Sequence, residues 1–511
     1  MLKKIPAEET EYLHGSQHWQ NGRWTWVVAV CLASFYFLAT VYIAHVRLLW
    51  YDEVFSSVVS RLSPVGIWRT LKSGLDLQPP TYHLLLHYFG IVLGPSALAL
   101  RLPSALAMFA GLLIVFDCAR RLTNGLHGLI AISVLSGSVL LSYGYEARPY
   151  ALLFMWSACS LWVWLNTPAR SKTAALAFGL TIFGAVTAHY YAVFCLVPYA
   201  VSTLVEPPRN RQSMKFFAGC SGLVAGLALF VPVLRANTGS AHGASWAPAT
   251  LGNLDRVYGD SFPHFLLLVA LPAVIWIALV SLRQSKAVPV EPMVASERLA
   301  WSFLLIPCFG FVVAKLLTNV LYHRYVISML PGVAVAFSCL LWRHFRSVAT
   351  VTLGILCIWT GRGIASMVDQ VRHPERIEPL SARGEAVRLN QLHSGEDQLL
   401  RDGRHFLVMQ ADRLLAIEAV YNSRHPEVYR LFHDPTLPRV DYPPIMEGVF
   451  NLNQRLGTYI PLSYWNLSDL REHASEAALV DPPDDVLEAL EEDGFKCQTH
   501  FDGDLRIVYL K

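Results

Sequence analysis

The chain has 511 residues, 54% of them hydrophobic and only 15% charged, against about 25% charged in a soluble globular protein; its mean hydropathy is +0.38. The missing charge is concentrated: Trp24 to Gly361 is a succession of apolar blocks, and from about Met367 the composition turns polar and mixed. A net charge of +3 is too small to suggest nucleic acid as a partner, and there is neither a glycine-rich phosphate loop nor a basic run interleaved with aromatics.

Residues 1–23 hold Lys3, Lys4 and Arg23 and read as a cytoplasmic N-terminus. The first apolar block, Trp24 to Val46, is too long for the core of a signal peptide and lacks a small-residue cleavage site. A spanning helix takes about 20 apolar residues. The candidate spans are 24–46, 100–118, 126–143, 149–165, 174–188, 190–205, 216–234, 263–282, 299–318, 325–342 and 347–363. The positive-inside rule orients them. With the N-terminus inside, the inner loops hold Arg120 and Arg121; Arg170 and Lys172; Arg209, Arg211 and Lys215; Arg283, Lys286 and Arg298; Arg343 and Arg346. An odd number of spans puts residues 375–511 outside, so 24–365 forms the membrane domain of a multi-pass protein, with a long first outer loop at 47–99.

In that loop, Gln78 to Gly94 is apolar enough to enter the bilayer, but a full crossing would invert the later alternation, so it reads as re-entrant or surface-lying. Before it, Val54, Phe55, Val58, Val59, Leu62, Ile67, Trp68 and Leu71 fall at helical spacing with Arg61, Arg69 and Lys72 off that face. This predicts an amphipathic helix in the membrane plane. Of nine cysteines, eight lie in apolar blocks and no CxxC occurs, so they read as small buried residues.

This topology collects unusual polar groups on the outer side. Asp52 and Glu53 follow the first span; Glu146 and Arg148 end the third; His189, Tyr190 and Tyr191 lie between the fifth and sixth; His323, Arg324 and Tyr325 lie between the ninth and tenth. Ionisable groups at membrane depth are costly and mark functional candidates. A carboxylate can take a proton or bind a metal, and a guanidinium binds phosphate through its planar fork. Such a set suits a lipid-phosphate sugar donor, whose departing phosphate needs cations or a metal. It suits phosphoryl transfer from a lipid equally well, and residue types alone leave both open. A transporter or flippase of a lipid-linked glycan is a third class, but internal repeats with polar groups at mid-membrane are not evident.

Five motifs in order carry a family resemblance: WYDEVFS at 50–56; QPPTYHLLLHYFG at 78–90 followed by ALRLPSALAMFAGLLIVFDCARRL at 99–122; SYGYEARPYALL at 142–153; TAHYYAVF at 187–194; and HRYVISMLPGVAVAF at 323–337. The chain resembles membrane glycosyltransferases of the GT-C fold. The likeness is to the family 39-like group, which includes protein O-mannosyltransferases and the aminoarabinose transferase acting on lipid A. The resemblance implies an α-helical polytopic protein of about eleven transmembrane helices with a small C-terminal α/β domain, in a bacterial inner membrane. It implies inverting transfer from a polyprenyl-phosphate sugar to a lipid, glycan or protein acceptor. Asp52 would be the base, with Glu53 beside it, and Arg148 and Arg324 the phosphate ligands. Gln78 stands where some relatives have a lysine against the phosphate. Glu146, Tyr150, His189, Tyr191, His323 and Tyr325 would line the substrate site. Some GT-C enzymes use a divalent metal and others do not; Asp52, Glu53 and Glu146 are the ligands available here. His83 and His87 have metal-capable i,i+4 spacing but no evident third ligand, and Lys315 reads as snorkelling to the interface.

The tail reads as strand, helix, strand, helix, strand at 405–410, 411–422, 477–481, 484–495 and 505–511. That alternation predicts a small, partly parallel α/β unit. It has no nucleotide-binding glycine pattern, which suggests acceptor recognition or a lid.

Overall fold

The computed structural model describes residues 22–76, 78–206, 212–238, 247–262, 293–345, 349–374, 377, 385–401, 403–410, 414–434, 451–460, 462–503 and 505–511. All but the last two residues of the N-terminus, and the span expected at 263–282, lie outside the described residues. Among the described residues, five helices are long and apolar enough to cross a membrane: Trp24–Val46, Ala97–Leu122, Ala295–Leu316, His323–Phe345 and Thr350–Arg372. At 1.5 Å per residue the first covers about 35 Å, against a hydrocarbon core of about 30 Å.

Five other apolar helices among the described residues are shorter: Gly125–Ser136, Tyr150–Asn166, Lys172–Ala188, Tyr190–Val205 and Ser213–Leu229. The expected spans 126–143, 190–205 and 216–234 are therefore not continuous α-helices. The first stops at Gly137, the second opens as a 3-10 turn over Tyr190–Leu196, and the third breaks at Phe230 before Val231–Thr238. Pro198 and Pro232 sit in the first turn of the segments that follow, where a missing N–H costs no helical bond. The helix ending near residue 316 closes in a π-type turn, Ala314–Thr318, with Asn319 left-handed (φ 49°); Lys315 is exposed in that turn. Close packing uses small residues. A side chain on Gly222 would collide with the Gly179 carbonyl of Lys172–Ala188, so the two backbones touch there.

The first loop holds Tyr51–Ser60, Pro64–Lys72 and Pro80–Leu93. The single amphipathic helix expected across 54–71 is thus two helices. Ser63 caps the second by accepting from Gly66 N at 3.2 Å, and Pro64 starts it. Its apolar stripe also does not lie on lipid. Val54, Phe55, Val58, Val59, Ile67 and Leu71 are buried in one core with Leu389, Leu392, Met409, Ile417 and Val420 of the C-terminal part.

The described C-terminal residues form a six-stranded sheet, ordered β3-β2-β1-β4-β6-β5. The strands are β1 Phe406–Gln410, β2 Tyr429–Phe432, β3 Tyr464–Trp465, β4 Ala477–Val480, β5 Cys497–Asp502 and β6 Leu505–Leu510. The strands β3, β2, β1 and β4 are parallel, and β6 runs antiparallel to β4 and β5. Alternate residues serve opposite faces. Val408, Leu479 and Val508 pack with Val486 and Leu490 of the Asp484–Glu492 helix. Leu407, Met409, Ala478, Val480 and Ile507 join the core shared with the first loop.

Candidate active site

Arg101 lies near the start of Ala97–Leu122, fully buried. Its Nε donates to Glu53 Oε1 at 2.7 Å and its Nη2 to Oε2 at 2.5 Å. Its other N–H groups go to the carbonyls of Ala44 (3.0 Å), Arg47 (2.7 Å) and Leu48 (2.8 Å), where the first helix ends. Glu53 also accepts from Ala147 N at 2.7 Å and Trp50 N at 3.3 Å. Burial pushes the Glu53 carboxyl up, but the charge and hydrogen bonds of Arg101 outweigh it and hold the group below the usual carboxylate range. One carboxylate thus joins the end of the first helix, the start of the Ala97–Leu122 helix, and the turn that carries 146–148.

The neighbouring Asp52 projects about 100° further round its helix and meets different groups. Its Oδ2 is 3.3 Å from Arg324 Nη1 and 3.6 Å from Arg148 Nη2, with its side chain 22% exposed. Arg148 Nη1 donates to Asp76 Oδ2 at 3.0 Å, and to Asp52 O and Ser56 Oγ, each at 3.2 Å. The same Asp76 oxygen is 3.3 Å from His83 Nε2. Burial would raise the Asp76 carboxyl; Arg148 and His83 outweigh it and hold the group ionised. The chain of groups runs His83, Asp76, Arg148, Asp52, Arg324.

Arg324 is walled by aromatic rings, its guanidinium carbon 5.7 Å from the Tyr150 centroid and 5.5 Å from those of Tyr322 and Tyr325. Tyr191 stacks on Tyr325 at 4.5 Å. Buried His189 lies 5.4 Å from the Tyr150 ring, and burial, with Arg148 and Arg324 adding to it, pulls it down to about 3, so it is neutral. His323 Nε2 bonds the Tyr143 hydroxyl at 2.6 Å, and its Nδ1 is 3.7 Å from Asp260. Glu146 is buried, and its Oε2 has no hydrogen-bond partner among the described residues. Burial pushes this carboxyl up to about 7, opposed by Arg47 and Arg324. Gln78 is buried two residues beyond Asp76.

The structure therefore groups Asp52, Arg148, Tyr150, His189, Tyr191, Arg324 and Tyr325. Glu53 is beside them in sequence but faces Arg101. A divalent metal does not fit the three carboxylates: both Glu53 oxygens are committed, and Asp52 faces two guanidiniums. Among the described residues no group of three His, Cys, Asp or Glu side chains is placed to hold a metal ion. His83 and His87 diverge, the latter to Ser60 O at 2.9 Å. Sequence reasoning missed Arg101 and Asp76. Arg101 carried a signal, a lone charge in an apolar block; Asp76 in a loop carried none.

Residues 77–235 match the family described as dolichyl-phosphate-mannose-protein mannosyltransferase. That segment holds Arg101, Glu146, Arg148 and His189 but not Asp52 or Arg324. Among solved structures, ArnT from Cupriavidus metallidurans bound to undecaprenyl phosphate is similar with TM-score 0.57 at 13% identity, over 96% of this chain and 98% of that one. This is the GT-C fold. The apo form of the same ArnT matches with TM-score 0.58 at 13% identity, over 95% of this chain and 97% of that one. The GT-C likeness thus spans the membrane helices and the C-terminal sheet together. No curated protein matches the chain.

Proposed function

We propose that the protein is an inverting glycosyltransferase that moves a sugar from a polyprenyl-phosphate carrier to an acceptor hydroxyl on the outer face of the bacterial inner membrane. The observation that carries this reading is Asp52, a partly exposed carboxylate between two guanidiniums at 3.3 and 3.6 Å. The undecaprenyl phosphate in the ArnT structure of the same fold supports the carrier. The basic residues of the inner loops support the orientation, with the N-terminus in the cytoplasm and residues 375–511 outside.

In the reaction, Asp52 takes the proton of the acceptor hydroxyl as its oxygen attacks the anomeric carbon. The bond from that carbon to the phosphate oxygen breaks, the anomeric centre inverts, and polyprenyl phosphate departs with the electron pair. Arg148 and Arg324 hold the phosphate and its developing charge. The phosphate is already a good leaving group, so no second acid is needed, unlike glycoside hydrolysis. Tyr150, Tyr191, Tyr325 and neutral His189 wall the substrate, and Gln78, Glu146 and His323 border it. Glu53 fixes the helix that bears Asp52.

The test uses detergent-purified protein and undecaprenyl-phosphate sugars radiolabelled in sugar or phosphate. Transfer of the sugar label with release of undecaprenyl phosphate is expected, and Asp52→Asn slows it about 10²-fold or more with donor still bound. Movement of the phosphate label instead would make the protein a phosphotransferase.

A further inference from the structure

The C-terminal domain reaches the segment that carries Asp52 through buried and partly buried hydrogen bonds. Asn422 brackets the Leu49 peptide, its Oδ1 accepting from Leu49 N at 3.0 Å and its Nδ2 donating to Leu49 O at 2.8 Å. Glu418 Oε1 accepts from Tyr51 N at 2.7 Å. The two residues are one turn apart on the Leu414–Asn422 helix and so share a face. Tyr51 Oη donates to Asn453 Oδ1 at 3.0 Å, and further along Ser57 meets the Tyr421 hydroxyl at 2.7 Å and Thr70 the Tyr459 hydroxyl at 2.8 Å. Glu418 is only 3% exposed and Asn453 fully buried.

The contacts alternate along the chain. The C-terminal domain holds backbone at 49 and 51, while Arg101 of the membrane domain holds 47, 48 and the side chain of 53. Asp52 lies between these anchors. Tyr51 N is in the first turn of the Tyr51–Ser60 helix, where an N–H has no partner within the helix. A carboxylate there satisfies the donor and suits the positive end of the helix. A misplacement of about 1 Å at a reacting group can cost about 10²-fold in rate, so these bonds bear on chemistry as well as folding.

We propose that Glu418 and Asn422 are positioning residues that set Asp52, making the C-terminal domain part of the catalytic site. The inference rests on Asp52 being the base. The test compares Glu418→Ala, Glu418→Gln and Asn422→Ala in the full-length protein. Turnover of undecaprenyl-phosphate-mannose and undecaprenyl-phosphate-glucose is measured per folded molecule, with undecaprenyl phosphate binding and hydrogen exchange over 47–60. Glu418→Ala and Asn422→Ala should lower kcat about 10- to 100-fold, leave undecaprenyl phosphate affinity within about threefold, and speed exchange at 51–54. Glu418→Gln keeps an acceptor for Tyr51 N and should restore both rate and protection. Unchanged exchange in Glu418→Ala, wild-type kcat per folded molecule, or equal loss in the Ala and Gln variants overturns the proposal. The double variant Asp52→Asn with Glu418→Ala should be no slower than Asp52→Asn alone. A wild-type rate in Asp52→Asn alone would instead remove the base assignment, a result distinct from any of the Glu418 outcomes.

Discussion

Replacing Glu53 by Gln separates its work from that of Asp52. The change keeps the shape of the side chain and removes the charge facing Arg101. Four bonds at 2.5 to 3.3 Å converge on the carboxylate, two from Arg101, one from Ala147 N and one from Trp50 N. An amide has one acceptor oxygen, so one set of donors must face an NH₂ group. Breaking a buried ion pair costs about 3–5 kcal/mol. Here the Arg101 charge keeps three backbone carbonyls, so the lower end, about 3 kcal/mol, is expected. At roughly 2–4 °C per kcal/mol for a large domain, the melting temperature should fall by about 6–12 °C. Asp52→Asn should melt within about 2 °C of the wild type, because its partners are longer and partly in water. Thermal unfolding of both variants in one detergent measures the difference. If Glu53→Gln melts like the wild type and loses only turnover, Glu53 acts in the chemistry and the structural role argued for it is wrong.

Arg148→Lys and Arg324→Lys keep charge but lose the two-pronged fork; losing one charge-assisted bond costs about 1.5–3 kcal/mol, so undecaprenyl phosphate affinity, measured by fluorescence titration, should fall about tenfold or more in each, and wild-type affinity would remove that residue from the phosphate site. Glu146 has a folded value near 7, above the ordinary 4.5, so the protonated form is favoured on folding and stability is lost as pH rises through about 7; melting curves from pH 5 to 8.5 should show that fall in the wild type and lack it in Glu146→Gln. A periplasmic-active reporter fused after Lys511 should be active, and activity of a cytoplasmic reporter there would invert the topology and move the site to the wrong face.

Much of the membrane part was legible because a spanning helix needs only length and apolarity. The helices at Trp24–Val46 and Ala97–Leu122 show it. Arg148 and Arg324 stood out because charge is scarce there, and the structure brings both to Asp52. The apolar stripe from Val54 to Leu71 was visible, but its partner was not. Helical spacing looks alike whether a face meets lipid or a domain more than 300 residues away. The break at Ser63 and Pro64 carried a local sign, a cap residue before proline, which the long apolar pattern outweighed. Asp76 and Glu418 could not be singled out, since each takes its meaning from a partner distant in sequence, Arg148 and Tyr51.

The adjacent acids at 52 and 53 look interchangeable in sequence, and the helix makes them unlike. Neighbouring side chains on a helix point about 100° apart, so two adjacent carboxylates cannot both face one buried arginine. Glu53, fully buried, takes the bidentate partner and two backbone donors; a carboxylate so engaged is a poor proton acceptor, because accepting a proton would break the bonds that hold the loop. Asp52 keeps longer contacts and some exposure, and its guanidinium neighbours are groups that a phosphate would also engage. In the proposed mechanism, donor binding and release of the base are therefore linked by geometry: whatever draws Arg324 toward phosphate loosens its 3.3 Å hold on Asp52. On that reading, the rigidity of one acid lets the other be placed, yet remain free to react.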